Sequence, residues 1–339
     1  MVMQDAIRSL VDRGELSAEQ ATTAMEAMFT GAATPAQVGS FLTALRIRGE
    51  SPEIIAACAK VMQSHAEPVP VDDVIDICGT GGDGIDTFNV STAAGFVVAA
   101  AGGRVAKHGN RAASSKCGSA DILEALGARI DLGGEQVAKA IESCGFGFLF
   151  AQRFHPAMRH VGGPRREMGI RTVFNMLGPL TNPAQPRGQL AGVGAPHLGP
   201  LMAEAFALRG MPRALVVHSK DGLDEISPAT STHTWFVIDG TIAERDLLPS
   251  DFGLPSHPLS EVAGGTPEEN AGKLLGVLDG AEGAVTDFVL MNAAAALYVA
   301  GLVAGFEAGT HAAREAIASG KAREVLDAYV RITQELAGG

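Results

Sequence analysis

The sequence is poor in cysteine. Its four cysteines, Cys58, Cys78, Cys117 and Cys144, lie too far apart for the paired spacing of a zinc site or of a small disulfide framework. We therefore expect reduced thiols in a protein of the cytoplasm, where disulfides are rare.

The sequence also lacks a long apolar run and an excess of basic residues. Its longest apolar stretch, 293–306, is shorter than the roughly 20 residues that cross a bilayer and is interpreted as a buried helix. The N-terminal MVMQDAIRSL lacks the segments of a signal peptide. With 26 Lys and Arg against 38 Asp and Glu, the formal charge of −12 disfavours a broad surface for nucleic acid or an anionic membrane. Any phosphate site must therefore be local.

What the sequence does contain is enough apolar material, 46% over 339 residues, for one large or two unequal domains. The first 65 residues show helix signals. Ser17 and Thr34 each precede a Gln by three residues, as in a capping box, and Pro35 and Pro52 stand where helices can begin. Segment 67–70, Glu-Pro-Val-Pro, disfavours helix and predicts a linker after a small helical domain.

From position 74 onward, short apolar runs alternate with helical patterns. This alternation predicts a largely parallel sheet covered on both faces. Strands are predicted over 74–78, 104–107, 146–150, 190–193 and 214–218, with a further strand of unknown orientation over 232–239. Helices are predicted near 90–101, 120–126, 135–143, 198–208, 267–278 and 287–304.

A glycine loop, GTGGDG at 79–84, follows the first predicted strand, and Asn-Val-Ser-Thr at 89–92 then opens an apolar helix. Glycines permit positive φ and close ligand approach, and a helix N-terminus attracts anions. The letters also satisfy the G-x-G-x-x-G pattern of nicotinamide enzymes. However, no acidic residue lies between Asp86 and Asp121 to bind a ribose in the usual way. Asp83 suits a ribose hydroxyl or a metal-bridged ligand better than a bare pyrophosphate.

A basic, hydroxyl-rich loop, KHGNRAASSKCGSAD at 107–121, follows the second predicted strand. Such a loop can simply be solvated. Open α/β sheets bind ligands beyond the carboxyl ends of their strands, so the position of this loop favours a pyrophosphate site.

An adjacent acidic pair, Asp224 and Glu225, follows the predicted strand 214–218. Such pairs are usually solvated, but beside a pyrophosphate site they suit magnesium, which prefers carboxylate, phosphate and water oxygens. Five arginines crowd the stretch 152–172, and composition does not single one out.

These motifs carry a family resemblance. GTGGD, NVST and KHGNRAASSKCGSAD, in this order and spacing, resemble the anthranilate phosphoribosyltransferase family. The likeness continues through FLFAQRFHPAMRHV, RTVFNMLGPLTNPA, Asp224-Glu225 and GGTPEEN, and so spans nearly the whole chain. It implies an α/β fold class: a small helical domain, 1–68, and a larger α/β domain, 72–339, of the nucleoside phosphorylase/phosphoribosyltransferase-like type. By analogy, a segment near 165–185 joins the helical domain.

The resemblance implies transfer of the phosphoribosyl group of phosphoribosyl pyrophosphate to the amine of anthranilate. This is the second step of tryptophan biosynthesis from chorismate, carried out by a cytoplasmic homodimer with two Mg²⁺ ions per chain. The residues implied for phosphoribosyl pyrophosphate are Gly79, Gly82, Asp83, Thr87, Asn89, Val90, Ser91, Thr92, Lys107, His108, Gly109, Asn110, Arg111, Ala112, Ala113, Ser114, Ser115 and Ser119. Those implied for anthranilate are Gly79, Asn110 and Arg165, and those for magnesium are Ser91, Asp224 and Glu225.

The predicted mechanism needs no strong base, because an aromatic amine is already neutral at physiological pH. Catalysis is expected from positioning and from stabilisation of the leaving pyrophosphate. No general base is assigned, although His108 is the obvious candidate. Two alternatives remain: a nucleoside phosphorylase, which shares the fold, and a non-catalytic nucleic-acid-binding relative, which would need a basic surface.

Overall fold

The N-terminal part of this computed structural model, which describes residues 2–112 and 116–338, is a helical module. Its helices are α1 (Val2–Arg8), α2 (Ala18–Phe29), α3 (Pro35–Arg48) and α4 (Pro52–Ser64). The predicted capping boxes are confirmed, since the hydroxyls of Ser17 and Thr34 accept the N–H groups three residues on and both Gln side chains bond back. These contacts satisfy helix-end donors that would otherwise lack partners.

A seven-stranded sheet dominates the rest of the described chain, in the order β3-β2-β1-β4-β5-β6-β7. The strands are β1 (Ile75–Gly79), β2 (Val105–Gly109), β3 (Phe146–Phe150), β4 (Gly188–Gly192), β5 (Arg213–Ser219), β6 (Thr232–Ile238) and β7 (Thr241–Leu247). Pairing is parallel from β3 through β5 and antiparallel from β5 to β7. The mostly parallel sheet is thus confirmed, and the orientation of the 232–238 strand is settled as antiparallel.

Helices cover both faces of this sheet. The helices that follow α4 are α5 (Val90–Ala100), α6 (Ser119–Ala125), α7 (Gly134–Cys144), α8 (Ala151–Phe154), α9 (Arg159–Met168), α10 (Phe174–Leu177), α11 (Leu198–Leu208), α12 (Pro267–Leu278), α13 (Ala284–Val299), α14 (Phe306–Ala318) and α15 (Lys321–Ala337). Of these, α9 packs against α2 and α3 of the helical module. The helix predicted over 287–304 was wrong at its end, because Gly301 adopts a φ of +73° and stops α13. Among the described residues, no helix is long and apolar enough to cross a membrane.

Two of the three hydrophobic clusters of the described residues lie on opposite faces of the sheet at β5. Along β5, Leu215 and Val217 pack into the cluster around α5 and α13, whereas Ala214 and Val216 pack into a second cluster. The second cluster contains α11, the helical module and part of the 161–180 segment. The alternation follows from the two-residue period of a strand. The helical module is therefore held to the sheet by apolar packing, while the predicted boundaries at 68 and 72 stay predictions.

The carboxyl ends of four parallel strands meet at one edge of the sheet. Gly79, Gly109, Gly192 and Ser219 end β1, β2, β4 and β5, respectively. The loops that carry the glycines, the basic residues and the acidic pair therefore converge there, as expected for parallel strands.

Candidate active site

The glycine loop lies directly against the acidic pair. The amide of Gly81 donates a hydrogen bond to Oδ2 of Asp224 at 2.8 Å. A Cβ on Gly79 would collide with the carboxylate of Asp224, and one on Gly82 would collide with the guanidinium of Arg171. Gly82 also has a φ of +79°. Glycine at these positions thus lets Asp224 and Arg171 approach the loop backbone closely, and at Gly82 it also permits the positive φ.

A buried lysine supports the floor of this site. Lys107 is 1% exposed near the end of β2, and its Nζ donates to the carbonyl of Ile77 at 2.6 Å and to Oγ of Ser91 at 3.0 Å. Burial lowers the pKa of Lys107, and the carboxylate of Asp76 is the largest influence that opposes this shift. Lys107 and Ser91, both predicted for phosphoribosyl pyrophosphate and Ser91 also for magnesium, are therefore neighbours.

Three carboxylates crowd the same edge. Burial raises the pKa of Glu225 to about 8, with Asp224 as the next cause. Burial likewise raises the pKa of Asp224 to about 6, with Asp83 as the next cause. Carboxylates that repel one another favour a bound cation, because it offsets their like charges.

The acidic pair and Ser91 form a donor set that can be compared with the ligands magnesium prefers. No group of three or more His, Cys, Asp or Glu residues with a metal-binding arrangement occurs in 2–112 and 116–338. Mg²⁺ commonly uses only one or two carboxylates and completes its shell with waters and substrate phosphates. Asp224, Glu225 and the hydroxyl of Ser91 therefore fit Mg²⁺, provided that the substrate supplies further oxygens.

The start of α5 places several predicted residues differently. Asn89 donates from Nδ2 to the carbonyl of Cys117 and accepts from Asn270, both at 2.9 Å, and so ties the glycine loop to the basic loop and to α12. Val90 and Thr92 are buried, and the side chain of Val90 belongs to the main core. Val90 thus contributes its side chain to the core and has almost no exposed surface for a ligand. Thr87 forms an isolated bridge with Ala263.

The basic loop is only partly turned toward the cleft. Arg111 forms ion pairs with Asp121 and Glu124 on α6, and the amide of Ala112 also bonds Asp121, at 2.9 Å. Gly109 approaches Ser119 and the ring of Phe148 closely. Asn110 is exposed. The predicted residues Ala113, Ser114 and Ser115 lie outside the described residues.

A histidine pair lines the inner end of this loop. Nδ1 of His108 lies 3.1 Å from the carbonyl of Gly178, and Nε2 of His108 lies 3.2 Å from Nε2 of His155. A carbonyl can only accept, so Nδ1 of His108 carries the proton and Nε2 of neutral His108 accepts from His155. Burial lowers the pKa of His108, which favours this neutral form.

Arg165 and Arg171 have different surroundings. Arg165, on α9, lies over the ring of Phe174 with its Cζ 4.9 Å from the centroid. Arg171 instead donates to the carbonyl of Gly82 in the glycine loop. Sequence reasoning passed over Arg171 because it was one of five arginines in a short stretch.

Asp76 was missed as well. It is fully buried in β1 and accepts hydrogen bonds from the amide of His108 at 3.1 Å and from Nδ2 of Asn182 at 2.9 Å. The available signal was a charged residue inside the apolar run Val-Ile-Asp-Ile-Cys. Buried carboxylates are rare unless they are paired.

A helical bundle joined to an α/β domain, with a glycine-loop cleft at the carboxyl edge of its sheet, is the architecture of a class of glycosyl transferases. Residues 4–66 match the helical bundle domain of the glycosyl transferase family, and residues 71–323 match its a/b domain. The sequence is 48% identical over 334 residues to the anthranilate phosphoribosyltransferase of Acetivibrio thermocellus, covering 98% of this chain and 97% of that protein. It is 51% identical over 328 residues to that of Thermomicrobium roseum, covering 95% and 94%. The chain belongs to the anthranilate phosphoribosyltransferase family.

Solved structures agree with this assignment. The crystal structure of anthranilate phosphoribosyltransferase from Thermus thermophilus matches with a TM-score of 0.92 at 45% identity, over 97% of this chain and 99% of that one. The Saccharomyces cerevisiae enzyme in complex with PRPP and Mg matches with a TM-score of 0.90 at 33% identity, over 98% of each chain. The fold class and the enzyme class predicted from the sequence are confirmed. The comparisons favour neither the nucleoside phosphorylase nor the nucleic-acid-binding alternative.

Proposed function

We propose that this protein transfers the phosphoribosyl group of phosphoribosyl pyrophosphate to the amine of anthranilate, giving N-(5-phosphoribosyl)anthranilate and pyrophosphate. The observation that carries the proposal is the convergence of the glycine loop, Lys107 with Ser91, and the Asp224-Glu225 pair at one sheet edge. Relatives of this family supply the substrate chemistry, since the Saccharomyces cerevisiae enzyme has been solved in complex with PRPP and Mg and in complex with 4-fluoroanthranilate.

The phosphoribosyl pyrophosphate site comprises the glycine loop, the start of α5 and the basic loop. Lys107 faces the pyrophosphate as a buried cation, and Gly79 and Gly82 let the ligand approach the backbone. The remaining residues of the proposed site are Asp83, Thr87, Asn89, Val90, Ser91, Thr92, His108, Gly109, Asn110, Arg111, Ala112, Ala113, Ser114, Ser115 and Ser119. A phosphate at Arg111 would compete with Asp121 and Glu124 for the same guanidinium.

Asp224, Glu225 and Ser91 hold magnesium, with two ions per chain. When bound, Mg²⁺ screens the charge of the departing pyrophosphate. The protein contributes the two carboxylates, and Lys107 keeps the hydroxyl of Ser91 oriented through the 3.0 Å hydrogen bond. Mutual repulsion among Asp83, Asp224 and Glu225 is then relieved.

Anthranilate binds between Gly79, Asn110 and Arg165. The planar guanidinium of Arg165 suits a carboxylate because it can donate two parallel hydrogen bonds, and stacking on Phe174 limits its rotation. The amine attacks the anomeric carbon without a strong base. In the present arrangement both ring nitrogens of His108 are engaged, by Gly178 and His155, which argues against His108 as that base.

The proposed setting is the second step of tryptophan biosynthesis, in the cytoplasm, by a homodimer. The helical module is the proposed dimer surface. It exposes three large apolar side chains, Val2 at 45%, Val11 at 56% and Ile47 at 77%, which are costly in contact with water.

Loss of anthranilate fluorescence on mixing with phosphoribosyl pyrophosphate and magnesium tests the activity. Fluorescence should fall with all three components and stay constant when EDTA removes the metal. Lys107→Ala and Ser91→Ala should weaken the binding of phosphoribosyl pyrophosphate more than the binding of anthranilate, as measured in separate titrations. A constant signal with the complete mixture, beside an active relative as control, would refute the proposed function.

A further inference from the structure

Asp76 places a carboxylate in a fully buried position inside the sheet. It lies in β1, between β2 and β4, with 0% of its surface exposed and with Ile75 and Ile77 as neighbours in the main core. A buried carboxylate is costly unless hydrogen bonds and charge compensate it. The hydrogen-bond partners of Asp76 therefore indicate which part of the structure this buried carboxylate stabilises.

Those partners belong to two different parts of the cleft. Oδ1 accepts the amide of His108, at the end of β2, and Oδ2 accepts Nδ2 of Asn182, in the loop before β4. Asn182 also donates to the carbonyl of Ala106, at 2.7 Å. From the other side, the ring of His108 lies against the carbonyl of Gly178. One carboxylate thus fastens the end of β2 to the 178–182 segment.

We infer that Asp76 is a positioning residue for the transfer reaction: it holds Lys107 and His108 in register with the 178–182 segment, so that the phosphate-binding end of β2 faces the cleft. The inference rests on the proposed function, because Lys107 and His108 belong to the proposed phosphoribosyl pyrophosphate site. Asp76 has no exposed surface and so acts through these neighbours without touching substrate.

Geometry makes the role specific. Lys107 bonds the carbonyl of Ile77, the residue directly after Asp76, so both members of the β2 end are anchored to the same stretch of β1. In Asp76→Asn the amide oxygen can still accept from His108, but the new NH₂ group meets the NH₂ group of Asn182. Two donors cannot bond each other, and the 178–182 connection is lost while the side chain keeps its size.

The adjacent strand offers a matched control. Gln189 lies opposite Asp76 in the β1–β4 register, is equally buried, and donates to Sγ of Cys78, whose thiol in turn donates to Oδ2 of Asp76 at 3.5 Å. Gln189→Met therefore perturbs the same buried polar cluster through Cys78 while leaving the bonds from Asp76 to His108 and Asn182 in place.

The experiment compares Asp76→Asn, Gln189→Met and wild type by thermal unfolding, steady-state kinetics, and titration of phosphoribosyl pyrophosphate with magnesium. We expect the melting temperature of Asp76→Asn to be similar to that of Gln189→Met. Asp76→Asn should nevertheless bind phosphoribosyl pyrophosphate about tenfold more weakly and have a lower kcat, because a charge-assisted contact is removed. Gln189→Met should keep wild-type constants.

Wild-type binding and kcat in folded Asp76→Asn would overturn the inference, as would an equal loss in Gln189→Met. If Asp76→Asn does not fold, Asn182→Ala is judged by the same criteria, because it removes one of the two hydrogen bonds and leaves the carboxylate. Failure of the proposed function is distinguishable, since it would appear as an inactive wild type.

Discussion

At the scale of single residues, the site depends on charges held where water is scarce. Lys107 is almost fully buried, and Glu225 and Asp224 have raised pKa values because burial and neighbouring carboxylates both oppose their ionisation. Arrangements of this kind store repulsion that a charged ligand can relieve. Neutralising the carboxylates is therefore expected to stabilise the metal-free fold and to weaken the binding of magnesium.

The double substitution Asp224→Asn with Glu225→Gln tests this opposition. Both changes preserve size, so the fold should remain. Without metal, loss of the repulsion should raise the midpoint of thermal unfolding by a few degrees in EDTA, while turnover with magnesium falls by about a hundredfold or more. Scanning calorimetry and the fluorescence assay measure the two effects. Near-normal turnover would mean that the metal is held by other residues.

Arg165 is expected to recognise the carboxylate of anthranilate. Arg165→Ala removes a charge-assisted hydrogen bond worth about 1.5–3 kcal/mol, or roughly ten- to a hundredfold in apparent affinity. Lysine should rescue only part of the loss, because it keeps the charge without the planar fork. The measurement is the ratio of anthranilate to aniline reactivity, since aniline lacks the carboxylate.

The neighbouring Arg166, which is exposed on α9, provides the control for Arg165. Arg166→Ala should keep the wild-type preference for anthranilate, and phosphoribosyl pyrophosphate affinity should change little in either variant. An unchanged ratio in Arg165→Ala would assign the carboxylate to another residue, with Arg171 as the next candidate.

Residue roles were predictable where type and position in a loop limit the chemistry. The glycine loop, the basic loop and the acidic pair could be placed at one sheet edge because each follows a strand. Arg171 and His155 could not be assigned, because their contacts with Gly82 and His108 join segments far apart in the chain. Asp76 was visible as a charged residue in an apolar strand, but hydrophobic periodicity does not predict the partners of such a residue.

At the scale of elements, the glycine loop offers a comparison within itself. Gly82 and Gly84 both have positive φ, at 79° and 78°, but only a Cβ on Gly82 would strike Arg171, whereas nothing lies within 4 Å of one on Gly84. Both alanine variants carry backbone strain of about 1–2 kcal/mol. Gly82→Ala should therefore lower kcat/KM for phosphoribosyl pyrophosphate about tenfold more than Gly84→Ala does.

The double variant Gly82→Ala with Arg171→Ala separates the collision from the backbone strain. It should recover part of the binding lost in Gly82→Ala, as judged by titration of phosphoribosyl pyrophosphate. Equal effects of Gly82→Ala and Gly84→Ala would show that the contact with Arg171 has no influence on the loop.

Other elements show where local patterns are insufficient. The sequence of β7, Thr-Ile-Ala-Glu-Arg-Asp-Leu, carries three charges and is mostly exposed, so alternation gave no strand; its pairing with β6 forms it. The strands β1 to β5 were predictable because apolar runs in a parallel sheet are buried on both faces. The end of α13 depended on Gly301, which the apolar stretch around it concealed.

At the scale of the whole molecule, one apolar cluster unites the helical module with a face of the sheet. Phe41 and Leu45 from α3 share it with Met202 and Phe206 from α11. The histidine pair lies where the chain passes between these parts, with His155 just after α8 and His108 at the end of β2. A proton taken up by either histidine would place a charge in a buried region that water does not reach. Acid should therefore lower the free energy of unfolding of the whole molecule.

Substitution of His155 should make the fold less sensitive to mild acid. Burial, followed by the proximity of His108, lowers the pKa of His155 from 6.5 to about 3 in the folded state. Above pH 6.5 both states are neutral and stability is complete; as pH falls from 6.5 toward 3, only the unfolded state takes up the proton, and stability is lost. The loss approaches about 1.4 kcal/mol per pH unit, or about 2 kcal/mol by pH 5.

Urea unfolding of the ligand-free protein at pH 7, 6 and 5 measures this loss. His155→Gln should lose about 2 kcal/mol less than wild type between pH 7 and pH 5, since glutamine does not titrate and the other acid-sensitive groups are common to both proteins. His311, which is exposed on α14, is the control, and His311→Gln should follow the wild-type curve. If the free energy of unfolding falls in parallel for His155→Gln and wild type, His155 takes up its proton equally well in the folded and the unfolded protein. The acid sensitivity must then come from His108 or from the nearby carboxylates.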